Sequence, residues 1–157
     1  MYMKLKLLSL AVAGTLATFA APGSRAEAQL ATGGACSLSL RAEVDGESFD
    51  MLEAPAGAAR DRLVQQTGSN FAAAASHLCA SRVVTAATLR PYSKLLVRAG
   101  AAATEPNVYD DAEEQPGALI VEYAFGTTAP TQAQIEHGLR CWRNPQATGC
   151  TVEDVGP

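Results

Sequence analysis

Three kinds of side chain in this sequence could do chemistry. They are the two histidines His77 and His137, the carboxylate of Glu122 inside an apolar run, and the four cysteines Cys36, Cys79, Cys141 and Cys150. A histidine acting as general base needs a cleft and a partner that orients its ring. Along residues 132–143, Ile135, Leu139 and Trp142 share one helical face within about 60°. That arrangement turns His137 outward, to the surface. His77 lies two residues before Cys79 at the flank of another helical stretch. A Cys79 held in a disulfide would be neither nucleophile nor ligand, which leaves His77 without a thiol to activate.

Glu122 sits in Ala118–Phe125, ALIVEYAF, a run of strand-forming residues bracketed by Gly117 and Gly126. Leu119, Val121, Tyr123 and Phe125 alternate onto one face, and Ile120, Glu122 and Ala124 onto the other. Antiparallel sheets commonly wet one face, so Glu122 is expected to be exposed. If something covers that face, the carboxylate needs a partner, and Arg98 or Lys94 is the nearest in kind. Trp142, Tyr123 and Phe125 could line a pocket, but aromatics at helical and strand spacing are the usual material of a core.

The cysteines read as structural. The intervals between them hold 42, 61 and 8 residues, none of which resembles the short Cys-x-x-Cys spacing of a zinc knuckle. An even number in an exported chain argues for two disulfides. Three pairings are possible. Cys36–Cys79 with Cys141–Cys150 is preferred, the second closing a short loop from a helix end to the tail. The acidic segment with Glu105, Asp110, Asp111, Glu113 and Glu114 invites a divalent-cation reading. It lacks the spacing of an EF-hand loop and reads as a solvated, self-repelling loop. No Gly-x-Ser-x-Gly elbow, His-Glu-x-x-His, P-loop or dinucleotide fingerprint occurs. No catalytic residue, metal ligand or cofactor is therefore assigned, and Glu122, His77 and His137 remain the candidates.

Residues 1–28 read as a cleaved secretory signal. Lys4 and Lys6 precede the uncharged stretch Leu7–Ala21, then Pro22 and Gly23, and Ala26-Glu27-Ala28 offers a small-x-small cleavage site. The apolar run is 15 residues long, short of the roughly 20 that span a bilayer, so no stable membrane anchor is expected after processing. Residues 29–157 then form one disulfide-bonded domain with a polar tail, large enough for a single core. They carry nine Lys and Arg against fifteen Asp and Glu, a balance of −6. An acidic domain without a basic cluster is a poor nucleic-acid binder. Arg outnumbers Lys and Ala is abundant, as in a bacterium with GC-rich coding, for which export leads to the periplasm or the medium.

Several elements must position these residues. Gln29–Ala35 reads as a flexible lead-in. Ser37–Val44 alternates as an amphipathic strand, and Asp45-Gly46 reads as a turn returning Ser48–Leu52 as a short hairpin partner, with Phe49 and Met51 on one face. Ala58–Ala80 is an Ala-rich helix, interrupted or kinked at Gly68-Ser69. Val83–Arg90 holds a short helical turn stopped by Pro91. Tyr92–Ala99 is a strand, and Asn107–Asp110 reads as a short strand forming a hairpin with Ala118–Phe125. Thr131-x-x-Gln134 is a capping box opening the helix Gln132–Arg143. The expected fold is α+β: an antiparallel sheet of three to five strands, with the Ala-rich and C-terminal helices packed on it and two disulfides.

Small size, disulfides and missing catalytic motifs favour a protein-binding or accessory module with an envelope or secreted protein as partner. The alternatives are a small periplasmic hydrolase or lyase using Glu122 or a histidine, and a divalent-cation-responsive protein using the acidic loop.

Overall fold

The computed structural model describes residues 28–32, 36–101 and 105–150. In chain order the elements are β1 (Ala28–Thr32), β2 (Leu38–Val44), α1 (Gly46–Met51), α2 (Gly57–Ala80), α3 (Ala86–Leu89), β3 (Lys94–Ala99), β4 (Asn107–Asp110), β5 (Ala118–Tyr123) and α4 (Gln132–Arg143). Apart from Ala28, the expected export signal lies outside the described residues, as does the tail beyond residue 150.

The class is α+β, but the sheet is mixed rather than antiparallel. Its order is β1-β2-β3-β5-β4. β2, β3 and β5 run parallel, and β1 and β4 add antiparallel edges. A parallel pair needs a crossover of a dozen or more residues. The helical segment between β2 and β3 is such a crossover, so the chain returns to the sheet in its original direction. The expected β4–β5 hairpin forms, with Asn107 opposite Glu122 and Asp110 opposite Leu119.

Three local expectations change. Residues 29–32 of the lead-in belong to β1, where the backbone groups on the outer edge of β2 find partners. Ser48–Leu52 is no hairpin strand but most of α1. Asp45 is its N-cap, accepting from the Ser48 amide at 3.3 Å. Helical geometry separates two residues that a strand would have put together: at 100° per residue Met51 falls about 200° from Phe49. Phe49 is buried, while Met51 is 70% exposed. Finally, α2 runs unbroken through Gly68-Ser69. Thr67 beside that pair is buried, and its hydroxyl is satisfied by donating to Leu63 O at 2.8 Å.

α2 and α4 pack on one face of the sheet. Its core joins Leu40 and Ala42 of β2, Phe71 and Leu78 of α2, Leu95 and Val97 of β3, Leu119 and Val121 of β5, and Ile135 and Leu139 of α4. α4 approaches β4 closely at Gly138, where an added Cβ would stand 2.7 Å from Pro106 O and 2.8 Å from Val108 Cγ2. The capping box of α4 is present in both directions. On the opposite face Leu96, Ala118 and Ile120 make a smaller cluster with Tyr109 against it.

Both disulfides take the expected pairing. Cys36–Cys79 ties the chain before β2 to the end of α2, and Cys141–Cys150 folds the tail back on α4. Such bonds belong to an oxidising, extracytoplasmic compartment. Among the described residues no helix is long and apolar enough to cross a membrane.

Candidate functional site

In sheets with parallel strands, clefts form beyond the carboxyl ends of the strands, where the chain leaves in different directions. Here β2 ends at Val44 and turns into α1, while β3 ends at Ala99. An open groove of about 310 Å³ lies between them, lined by Asp45, Glu47, Met51, Leu52, Arg98 and Ala99.

Ser48 seats α1 on the strand ends. The last backbone bond joining β2 to β3 runs from Asp45 N to Val97 O at 2.9 Å. Beyond it the chain has turned away, and the Ala99 amide would lack an acceptor. The buried Ser48 hydroxyl takes that place, accepting from Ala99 N at 2.9 Å and donating to Asp45 O at 2.8 Å. Phe49 is the second anchor, with its ring centroid 5.1 Å from that of Phe125. With Ser48 and Phe49 inward, Met51 and Leu52 form an exposed lip, 70% and 42% accessible. Glu53 follows in the left-handed region at φ 51°, a conformation uncommon outside glycine. Its neighbour Ala54 returns to the core, donating to Phe49 O at 3.0 Å.

A chain of polar contacts crosses the strand ends. Arg98 Nε donates to Asp45 Oδ2 at 2.8 Å, Arg98 Nη1 to the Tyr109 hydroxyl at 3.0 Å, and the Tyr109 hydroxyl to Glu122 Oε2 at 2.8 Å. Burial works against the Arg98 charge, but the bonds to Asp45 and Tyr109 outweigh it and raise its pKa. Burial, then the hydrogen bond to Glu122 and its charge, push Tyr109 up to about 12, against the opposing pull of Arg98. Tyr109 therefore keeps its proton at neutral pH and acts as donor rather than base.

The sequence candidates are not brought together. Glu122 is half-buried, neither wet as expected nor covered by any described helix. Its partner is the Tyr109 hydroxyl, and Arg98 reaches it only through that group. Lys94, the other partner considered, donates to Gln115 Oε1 at 3.3 Å. His77 and His137 stand on α2 and α4, which cover the other face of the sheet. The His77 side chain is 61% exposed, with Nδ1 2.9 Å from Glu136 Oε1. Gln132 also donates to that oxygen at 2.9 Å. Burial alone would raise the Glu136 carboxyl, but the hydrogen bonds from Gln132 and His77 and the charges of His77 and Arg140 hold it below its ordinary value. This arrangement pins α2 to α4.

His137 is half-buried rather than outward, because the tail folds back over its side of α4. Its Nε2 lies 3.6 Å from Cys141 Sγ. Trp142, Tyr123 and Phe125 all belong to the main core or pack against it, as expected. Trp142 does so apart from the other two, meeting Tyr92 edge-on at 5.8 Å and donating to Asp110 Oδ1 at 3.0 Å. In the acidic segment, Asp111 Oδ1 accepts from the amides of Glu113 and Glu114, which makes a turn. Among the described residues no three His, Cys, Asp or Glu side chains gather as a metal ion would require.

Of the residues lining the groove, Asp45, Ser48 and Leu52 carry no mark in the periodicity, and Met51 is marked only as a strand position beside Phe49. The one signal for α1 is Asp45 itself, which caps a helix beginning at Gly46 as readily as it opens a turn. Chemically the groove offers a polar floor whose groups are already bonded to one another, beside an apolar lip open to solvent. Comparison with protein-family models, with curated proteins and with solved structures finds no match to this chain.

Proposed function

We propose that this protein is an exported binding module, acting in the periplasm or the medium of a bacterium and docking a protein partner at the carboxyl ends of its parallel strands. The observation that carries this reading is the Met51–Leu52 lip. Two adjacent large apolar side chains stand in solvent on a short helix anchored from beneath by Ser48 and Phe49. Apolar side chains held out on a rigid support have the character of interface anchors. The floor beside them supports binding rather than bond-making: Arg98 is committed to Asp45 and, beyond the groove, to Tyr109, which donates to Glu122 and holds its proton. The sequence supports export through the basic and apolar segments of residues 1–28, and the two disulfides accord with it.

The test is capture from the native compartment. Oxidised protein carrying a photo-cross-linker on its surface is incubated with an envelope extract and with spent medium. A single reproducible adduct that untagged protein competes away is the expected result. No competed adduct in either fraction overturns the reading.

A further inference from the structure

The lip has a charged surround, and we infer that its occupant is a cationic segment of a partner protein, with Lys or Arg flanking one apolar side chain. This inference rests on the binding-module reading and names the chemistry of the partner. From Glu43 to Glu53 the chain carries five carboxylates, Glu43, Asp45, Glu47, Asp50 and Glu53, and no Lys or Arg occurs from residue 42 to residue 59. Three arginines face this run, and each is matched to one carboxylate. Arg98 is bonded to Asp45 at 2.8 Å, Arg60 stands 3.7 Å from Asp50 and Arg41 3.9 Å from Glu43, which leaves the charges of Glu47 and Glu53 as the surplus. Glu47 and Glu53 bracket the lip in sequence, and both are exposed.

These features select the ligand class together. The exposed Met51 and Leu52 need apolar surface from the partner, and methionine adapts its shape to what it meets. The groove of about 310 Å³ is open to solvent and has room for an inserted side chain. The surrounding carboxylates attract positive charge and repel negative segments, which sets partner choice and encounter rate more than affinity. The net charge of −4 adds a long-range field of the same sign.

The probes are short synthetic peptides offered to the oxidised full-length mature protein. The first carries Lys and Arg around one central Leu. The second replaces every basic residue by Glu, and the third replaces the Leu by Gly. The first peptide is expected to shift the Met51 and Leu52 methyl resonances and to bind more weakly as salt rises. The second and third are expected to bind about tenfold more weakly or worse. The double variant Met51→Ser/Leu52→Ser is expected to lose about tenfold for the first peptide. Its melting temperature, measured alongside, stays that of the parent, because both side chains are exposed.

Equal binding of the third peptide would reduce the effect to ion exchange and overturn the inference. So would equal binding of the second, shifts confined to other residues, or no shift at millimolar peptide. If a native partner is captured with a footprint on Met51 and Leu52 but presents no basic residue to Glu47 and Glu53, the module reading stands and this assignment falls.

Discussion

Replacing Ser48 by Ala tests whether α1 is seated as described. Among the described residues the Ser48 side chain is the acceptor of the Ala99 amide once β2 has turned away, and it is 6% exposed. Without it a buried N–H is orphaned, at a cost of about 1–3 kcal/mol. The bond to Asp45 O is also lost, but that carbonyl still accepts from Phe49 N at 3.3 Å, so its share is nearer 0.5–1 kcal/mol, roughly the net value of an ordinary hydrogen bond. The sum is about 1.5–4 kcal/mol, to be read as the loss of unfolding free energy in urea titrations of the oxidised protein. Amide exchange gives a second, local readout: Ala99 N–H is slow in the parent and exchanges much faster in Ser48→Ala. Ser81→Ala is the control. Ser81 is exposed and bonds only to carbonyls of its own helix end, so it is expected to change stability by no more than about 0.5 kcal/mol. If Ser48→Ala behaves like the control and Ala99 stays protected, the account of how the lip is held is wrong.

Three other outcomes follow from the geometry. Gly138→Ala gains about 1 kcal/mol of helix propensity. It also forces a Cβ onto Pro106 O and Val108, and backbone yields poorly, so thermal melts should show a net loss of about 1–2 kcal/mol; a variant as stable as the parent would refute the close approach of α4 to β4. In the folded protein Tyr109 keeps its proton above the ordinary 10.0, up to about 12. Its contribution to stability is therefore fully present below pH 10.0 and is lost as pH rises toward about 12. Ultraviolet titration should show a late tyrosinate step that is absent in Tyr109→Phe, and a Tyr109 ionising near 10.0 would contradict the contact with Glu122. By loop entropy, Cys36→Ser/Cys79→Ser, which opens a separation of 43 residues, should cost about 4 kcal/mol. Cys141→Ser/Cys150→Ser opens a separation of only 9 and should cost about 3 kcal/mol; the reverse order in denaturant titrations would reject that ranking.

The elements that were legible in the sequence are those whose signals are local and mutually consistent. α4 shows a capping box at Thr131 and Gln134 and an apolar stripe through Ile135 and Leu139, and it forms from Gln132 to Arg143. The β4–β5 hairpin and α2 were readable for the same reason. α1 is not legible because Asp45-Gly46 serves equally as a hairpin turn and as the entry to a helix. The alternation of Phe49 and Met51 favours a strand, since a helix sets the two about 200° apart. Only the buried seat for Ser48 and Phe49 selects the helix.

What the sequence determined by itself was composition and short-range form. It supplied an acidic chain, a basic and then apolar segment at residues 4–21, cysteines spaced for two cross-links, and the helices and strands whose patterns repeat within a dozen residues. The tertiary structure alone decided strand direction and the groove. The sense in which β2, β3 and β5 pair depends on how the crossover packs, and no residue within a strand records that. The contacts Asp45–Arg98, Arg98–Tyr109 and Tyr109–Glu122 span 53, 11 and 13 residues. Each of these side chains reads as an ordinary polar position on its own strand or turn. They become one structure only when neighbouring strands bring them within hydrogen-bonding reach, because a period-two pattern states which face a side chain takes and not which strand lies beside it.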